Sequence, residues 1–195
     1  MKIETLKSNK NSLISDLYSI EPKVFEDERG FFFESWNNVT FNKLIGKSIS
    51  FLQDNHSFSI KGVLRGLHYQ LNPKAQGKLI RCVKGEIFDV AIDMRKNSET
   101  FGEWASIKLS ERNKTQLWIP EGFAHGFLTL SENAEILYKT TNLWEKDLER
   151  TINWNDSNIS IKWPLNSISF EKPLLSEKDN NGISFEEAIN NSEIF

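Results

Sequence analysis

Short stretches rich in β-branched and aromatic residues recur along this chain about every ten residues, which is the spacing of strands in all-β folds. Turn-forming residues separate these stretches at Gly30, Lys61-Gly62, Lys84-Gly85, Pro120-Glu121-Gly122 and Ser131-Glu132-Asn133. The 23 aromatic residues (6 Trp, 3 Tyr and 14 Phe) also favour a sheet-rich core. This pattern predicts a β-sandwich or barrel, with Lys84-Gly85 as a tight hairpin turn between 79–83 and 87–92.

Apolar alternation indicates which side chains face inward. Over 87–93, Asp89 lies on the face opposite to the apolar Phe88, Val90 and Ile92. Over 134–141, the side chain of Tyr138 shares a face with Ala134, Ile136 and Thr140. Tyrosine on such a face usually packs in the core, and it becomes a candidate acid only if a base lies across a cavity.

The chain shows no internal repeat and no linker, so we expect a single domain over residues 1–195. Helical periodicity is weak and limited to 38–46 and 183–192. The last 25 residues are polar, and we expect residues 170–195 to pack outside the barrel.

Charge and cysteine usage exclude several functional classes. Lys and Arg total 24 against 27 Asp and Glu, a net charge of -3, so the basic excess of a nucleic-acid-binding protein is absent. No apolar run approaches the roughly 18 residues that span a membrane, and the first ten residues lack the apolar region of a secretory signal. With Cys82 as its single cysteine, the chain is expected to be cytoplasmic.

Three histidines could exchange protons near neutral pH: His56, His68 and His125. Each alone is more often a structural residue. Arg65, however, lies three residues before His68 in an apolar strand, where an unpaired arginine is unusual unless an anion binds there. Strict alternation puts Arg65 and His68 on opposite faces, so a shared site requires a bulge, which Gly66 could supply.

The spacing Pro120-x-Gly122-x-x-His125 resembles the second metal-ligand motif of cupins, which are small β-barrels. The first cupin motif supplies His-x-His, whereas this chain has His68-Tyr69-Gln70 and lacks one imidazole. A firm transition-metal site needs three or four ligands, so we expect no metal.

Four basic residues, Arg29, Arg65, Lys78 and Arg81, allow two interpretations. They could form a clamp for phosphate oxygens, or they could be solvated charges at strand ends. Their spacing alone does not decide between the two.

A series of longer motifs occurs in a fixed order along the chain. These are Asp27-Glu-Arg-Gly-Phe-Phe-Phe-Glu34, Gln53-Asp-Asn-His56, Gly62-Val-Leu-Arg-Gly-Leu-His-Tyr-Gln70, Gln76-Gly-Lys78, Gly85-Glu-Ile-Phe-Asp-Val-Ala-Ile-Asp93, Gln116-Leu-Trp-Ile-Pro-Glu-Gly-Phe-Ala-His-Gly-Phe127, Tyr138-Lys-Thr140, Trp154-Asn-Asp156 and Trp163-Pro164. From about residue 13 to residue 179, the chain resembles the dTDP-4-dehydrorhamnose 3,5-epimerase family. The resemblance implies an all-β, cupin-like jelly-roll barrel with a few short peripheral helices, a homodimer, and a cofactor-free site inside the barrel.

The family's reaction implies roles for four residues. Its substrate is a dTDP-linked 4-keto-6-deoxyhexose, whose C3 and C5 hydrogens are both α to the C4 ketone, so removing either gives an enolate. The resemblance implies His68 as base, Tyr138 as the opposed acid and Lys78 as the cation beside the enolate oxygen. It also implies Asp179 as the carboxylate that orients His68 and raises its pKa, although the stretch after Trp163 is a few residues longer than usual.

The resemblance also implies a substrate-binding set. Its members are Arg29, Glu34, Gln53, Asp54, Asn55, Arg65, Glu149 and Lys178 for the nucleotide, and His125 for the sugar, with Asp89 as a supporting pocket residue. Arg29 and Arg65 would meet the diphosphate, and the segment with Arg29 and Glu34 would reach the neighbouring site of the dimer. Trp144 stands where the family often has tyrosine, and its indole could stack on a flat ring. His56 is expected to be structural.

Three alternatives remain beside double epimerisation. The enzyme could invert C3 only, or it could isomerise the keto group of the same sugar, which the presence of Tyr138 disfavours. It could also be a non-catalytic sugar-nucleotide-binding or metal-binding cupin. A pure binding pocket has no need of His68, Lys78 and Tyr138 together.

Overall fold

The computed structural model describes all residues from Met1 to Phe195. It contains 13 strands. They are β1 (Lys2–Lys7), β2 (Leu13–Glu21), β3 (Phe25–Asp27), β4 (Gly30–Phe32), β5 (Gln53–Ile60), β6 (Leu64–Gln70), β7 (Lys78–Lys84), β8 (Glu86–Asp93), β9 (Trp104–Ser110), β10 (Gln116–Ile119), β11 (Phe123–Thr129), β12 (Asn133–Thr140) and β13 (Glu149–Thr151).

Two antiparallel sheets form the barrel. The six-stranded sheet has the order β1-β2-β10-β7-β12-β5, and the five-stranded sheet has the order β13-β6-β11-β8-β9. Strands β3 and β4 form a separate hairpin. From β5 to β8 and from β9 to β13, successive strands alternate between the two sheets. This is a jelly-roll arrangement, and it confirms the predicted cupin-like all-β fold.

The prediction of a hairpin at Lys84-Gly85 was wrong. The two flanking strands exist as β7 and β8, but they belong to different sheets, and β7 pairs with β10 and β12 instead. Gly85 has a φ of 75°, and a Cβ there would lie 2.1 Å from the Asn133 carbonyl oxygen. The glycine therefore carries the chain from one sheet to the other through a tight space, which a local turn pattern cannot distinguish from a hairpin.

The main core lies between the sheets. Its fully buried side chains include Ile80, Ile87 and Ile136, each of which contributes about 1.5–3 kcal/mol of hydrophobic stabilisation. Asp89 is also completely buried, on the strand face that carries Ile87. Val90 and Ile92, on the opposite face of β8, pack in a second cluster that includes Phe185 and Ala188 from the C-terminal part of the chain.

Three α-helices lie at the periphery: α1 (Asn38–Ile45), α2 (Glu177–Asn180) and α3 (Phe185–Asn190). Helices α1 and α3 fall within the two segments in which the sequence showed helical periodicity, while α2 was not predicted. Two short 3-10 helices span Lys146–Leu148 and Leu165–Ile168. None of the helices combines the length and apolar character needed to cross a membrane.

Helix α1 covers part of the outer face of the six-stranded sheet. Phe41 and Ile45 pack there against Leu79 and Trp118. The Asn37 side chain caps the helix by accepting from the Thr40 backbone N–H at 3.0 Å, which satisfies one of the free donors of the first turn.

Candidate active site

A cavity of about 410 Å³ opens between the two sheets. Ten of the predicted site residues line it: Gln53, Asn55, Arg65, His68, Lys78, His125, Tyr138, Trp144, Glu149 and Lys178. Three further lining residues, Ser57, Gln76 and Phe127, were not predicted. Ser57 could have been found by alternation, because it shares a strand face with Gln53 and Asn55.

His68 and Tyr138 reach this cavity from opposite walls. His68 is on β6 of the five-stranded sheet, and Tyr138 is on β12 of the six-stranded sheet. The Tyr138 ring also packs against the core cluster between the sheets. Burial raises the pKa of the Tyr138 phenol, so this group stays protonated at neutral pH.

A bulge in β6 brings Arg65 and His68 to the same cavity. His68 pairs with His125 of the neighbouring strand β11, while Arg65 pairs with Phe127 of the same strand. Arg65 and His68 are three residues apart on β6, but their partners are only two residues apart on β11, so β6 contains one extra residue. Gly66, inside this bulge, has a φ of 123°, and a Cβ on it would lie 2.5 Å from the Gly126 Cα. The predicted role of Gly66 is thereby confirmed.

His68 is hydrogen-bonded through Nε2 to Oδ1 of Asp179, which is 3% exposed. Burial pushes the pKa of Asp179 upward, but hydrogen bonds from His68 and Ser176 outweigh it and hold that pKa below its usual value.

The net direction of the His68 pKa differs from the expectation. Burial of the imidazole lowers its pKa, and the opposing effect of Asp179 is smaller, so the net shift is downward. The sequence could show an acidic partner but not the cost of burying a charged ring. His68 is consequently neutral at pH 7, the form that accepts a proton.

Lys78 projects from β7 and is 7% exposed. Its Nζ donates to the backbone carbonyl of His68 at 3.1 Å. Burial lowers the pKa of this amine to about 8, while the negative charges of Glu149 and Asp89 act in the opposite direction. Lys78 therefore remains mostly protonated at neutral pH, as a cation inside the cavity.

His125 forms a second imidazole–carboxylate pair. Its Nε2 lies 2.9 Å from Oδ1 of Asp89, which is completely buried. Burial raises the pKa of Asp89 against the opposing influence of His125 and Lys78. Asp89 thus holds His125 by a hydrogen bond and does not itself line the cavity.

Other charged and aromatic side chains also line the cavity. Glu149 and Lys178 form an ion pair at 3.0 Å. Arg65 donates through Nε to Ser59 Oγ at 2.9 Å. Trp144 is half exposed, and its backbone N–H donates to Oε1 of Gln53 at 3.0 Å. The indole therefore offers an open face beside the cavity.

Arg29, Glu34 and Asp54 do not line the cavity of their own chain. Arg29 lies at the turn of the β3–β4 hairpin, highly exposed and paired with Asp27. Glu34 follows this hairpin and accepts from the Asn37 side chain. Asp54 is one residue out of phase with the inward-facing positions of β5, so it pairs outside with Lys139 at 2.9 Å.

Two other candidates also lie outside the cavity. His56 is exposed, and its Nε2 lies 3.2 Å from Oε2 of Glu135. Arg81 lies over the ring of Phe33, so it is not part of the basic set that lines the cavity. Nowhere in the chain do three or more His, Cys, Asp or Glu side chains form a group that could hold a metal ion.

Comparisons with known proteins identify the family to which this chain is similar. The family model for dTDP-4-dehydrorhamnose 3,5-epimerase matches residues 11–187. The chain is 59% identical to the dTDP-4-dehydrorhamnose 3,5-epimerase of Shigella flexneri, over 90% of this chain and 94% of that one.

Two solved structures are also similar. The dTDP-6-deoxy-D-glucose-3,5-epimerase of Legionella pneumophila, in complex with dTDP-4-keto-L-rhamnose, superposes with a TM-score of 0.86 at 44% identity, covering 95% of this chain and 94% of that one. A 3'-monoepimerase of Streptomyces bikiniensis, in complex with dTDP-quinovose, gives a TM-score of 0.85 at 30% identity, over 93% and 90% of the two chains. This chain belongs to the dTDP-4-dehydrorhamnose 3,5-epimerase family.

Proposed function

We propose that His68, Tyr138, Lys78 and Asp179 carry out the epimerisation of a dTDP-linked 4-keto-6-deoxyhexose in the cavity between the sheets. The reaction of the family converts dTDP-4-dehydro-6-deoxy-D-glucose to dTDP-4-dehydro-L-rhamnose, in dTDP-L-rhamnose biosynthesis. The observation that carries the proposal is that an imidazole and a phenol enter one cavity from opposite walls.

Each inversion requires two proton transfers. Neutral His68 removes the proton from C3 or C5, and the electron pair of the C–H bond moves into an enolate whose oxygen is the former C4 carbonyl oxygen. The Lys78 ammonium stabilises this oxygen by its charge. Tyr138 then returns a proton to the carbon from the other face, which inverts the centre. Solvent reprotonates the phenolate, and His68 releases its proton.

The remaining cavity residues bind the nucleotide and the sugar. Arg65 and Lys178 supply positive charge for the diphosphate, and Trp144 supplies a flat face for the base. Gln53, Asn55 and Glu149 provide hydrogen-bonding groups in the same cavity, while His125 holds the sugar and is itself held by Asp89. The mechanism requires no metal or redox cofactor, because the C4 ketone itself acidifies both C–H bonds.

Arg29 and Glu34 act in a homodimer, where they reach the neighbouring site. Two observations support this assignment. Both residues lie outside the cavity of their own chain, and the β3–β4 hairpin exposes three large aromatic side chains, Phe25, Phe31 and Phe32. Apolar surface of this kind is typical of a protein–protein contact. Asp54, on the outer face of β5, would act from the same side.

Residues 1–195 function as a single epimerase domain. The segment 170–195 packs largely outside the barrel through α3, yet it supplies Lys178 and Asp179 to the site. The buried, unpaired Cys82 suits a reducing compartment, so we place the reaction in the cytoplasm.

The test is incubation with dTDP-4-keto-6-deoxyglucose in heavy water, followed by proton NMR. We expect deuterium at C3 and C5 and inversion of both centres. Loss of neither hydrogen would contradict the proposal. Deuterium at C3 alone would support the second candidate, a C3-only epimerase, which is favoured by the similarity to the 3'-monoepimerase.

A further inference from the structure

Asp179 has a second partner besides His68. The Ser176 hydroxyl donates to Oδ2 of Asp179 at 2.8 Å, while the Asp179 backbone N–H donates to the same Ser176 oxygen at 3.1 Å. A hydroxyl group has one proton to donate. Because the oxygen accepts from the backbone, that proton is directed to the carboxylate. Each oxygen of Asp179 thus has one side-chain donor: His68 on Oδ1 and Ser176 on Oδ2.

The segment that carries Ser176 is anchored directly to the strand that carries His68. Leu174 forms a bridge next to the start of β6, with its N–H donating to the Gly62 carbonyl at 2.8 Å and its carbonyl accepting from Leu64 at 3.0 Å. Ser176 follows two residues later. The position of Asp179 therefore depends on this local register and not on the length of the stretch after Trp163.

Because the Asp179 carboxylate is buried, protein groups rather than water must hold its orientation. The Asp179 side chain is 5% exposed, so water contributes little to holding it. An anion at such a position requires hydrogen-bond donors that remain in place.

We propose that Ser176 is a positioning residue, whose hydroxyl holds the Asp179 carboxylate in the orientation that accepts the hydrogen bond from His68. Ser176, Asp179 and His68 then form a chain of hydrogen bonds, in which only His68 touches the substrate. This inference rests on the proposed role of His68 as the base.

This chain of hydrogen bonds predicts that loss of the Ser176 hydroxyl changes the pH dependence of kcat/KM. Without the Ser176 hydroxyl, Oδ2 loses its donor, the anionic form of Asp179 is less stable, and the pair His68–Asp179 takes up a proton at a higher pH. The other charged or titratable groups that line the cavity with His68 all remain in the variant: Lys178 on α2, Arg65 on β6, Lys78 on β7, His125 on β11, Tyr138 on β12 and Glu149 on β13. The acid limb of the kcat/KM profile should therefore move to higher pH.

The experiment compares three variants of Ser176. Ser176→Ala should lower kcat/KM about tenfold, the loss expected for one hydrogen bond to a charged group, and should shift the acid limb upward. Ser176→Thr keeps the hydroxyl and should restore both. Ser176→Asp still caps helix α2 but cannot donate to Asp179, so it should be at least as impaired as Ser176→Ala.

Ser184 provides a matched control. Its hydroxyl donates to the Glu187 carboxylate at 2.8 Å and accepts from the Glu187 N–H at 3.1 Å, the same geometry at the start of α3 and away from the cavity. Ser184→Ala should lose a cap of the same kind with kcat/KM and pH profile unchanged.

The outcomes separate this inference from the proposed function. An active Ser176→Asp enzyme would show that Ser176 is only a helix cap and would overturn the inference, even if Ser176→Ala does not fold. An unshifted acid limb in Ser176→Ala would overturn it as well. Full activity of His68→Ala would instead contradict the proposed function.

Discussion

His68 and His125 lie directly opposite each other on the neighbouring strands β6 and β11, and each is hydrogen-bonded through Nε2 to a different buried carboxylate. The partner of His68 is Asp179, whose pKa is lowered, whereas the partner of His125 is Asp89, whose pKa burial raises. Two imidazoles on one wall therefore have different electrostatic surroundings. The different partners are consistent with the different roles proposed for the two residues, His68 as the base and His125 as a sugar-binding residue.

His68→Ala should abolish the exchange of substrate hydrogen with solvent deuterium. The variant lacks the base, and the loss should amount to about a hundredfold or more in the exchange rate. Proton NMR in heavy water measures it. His56→Ala, which changes an exposed histidine outside the cavity, is the control. Undiminished exchange in His68→Ala would remove His68 from the role of base.

Tyr138→Phe should impair inversion more than it impairs exchange. The variant retains His68, so a proton can still be removed and returned on the same face, but the opposed acid is gone. The ratio of deuterium uptake to inverted product, followed by NMR, should rise relative to the wild-type enzyme. Equal losses of the two rates would count against Tyr138 as the acid.

The pH profile of kcat/KM should be bell-shaped. Activity should rise through the lowered pKa of His68, below about 6.5, because the base must be neutral. It should fall as the pH rises through about 8, where Lys78 loses its charge. In Lys78→Arg the cation persists, so the alkaline limb should move to much higher pH in whatever activity remains. An unchanged alkaline limb would assign it to another group.

Mixing two inactive variants should restore activity if Arg29 acts across the dimer. A dimer of one Arg29→Ala chain and one His68→Ala chain contains one site with both residues intact. Random reassembly of equal amounts should recover about a quarter of the wild-type activity at low substrate concentration. Size-exclusion chromatography checks the dimer. If activity is not recovered although mixed dimers form, Arg29 does not act in trans.

Dialysis against a chelator should leave the activity intact. No group of three or more His, Cys, Asp or Glu side chains that could hold a metal exists in the chain, and Lys78 is proposed as the cation beside the enolate oxygen. The measurement is the epimerisation rate before and after dialysis, with metal content determined in parallel. Loss of activity that returns on adding metal would revive the metal-binding interpretation.

The residue pattern alone predicted much of the fold. Alternation correctly placed Tyr138 on an inward face, because the side-chain period of a strand is a local property. Even the bulge at Gly66 could be anticipated, because Arg65 and His68 are three residues apart and could share a site only if the strand alternation is interrupted between them. The family motifs then identified ten of the 13 side chains that line the cavity.

Other features exist only in three dimensions. After β7, the chain could either fold back as a hairpin or cross to the other sheet. The outcome depends on which distant strands form hydrogen bonds with β7, so the turn at Gly85 could not be interpreted from local sequence. The pKa values of His68 and Lys78 depend on burial, a property of the whole barrel. The hydrogen bond between Asp179 and His68 likewise depends on the bridge between Leu174 and the start of β6. This contact between distant segments, not the spacing along the chain, sets the position of Asp179.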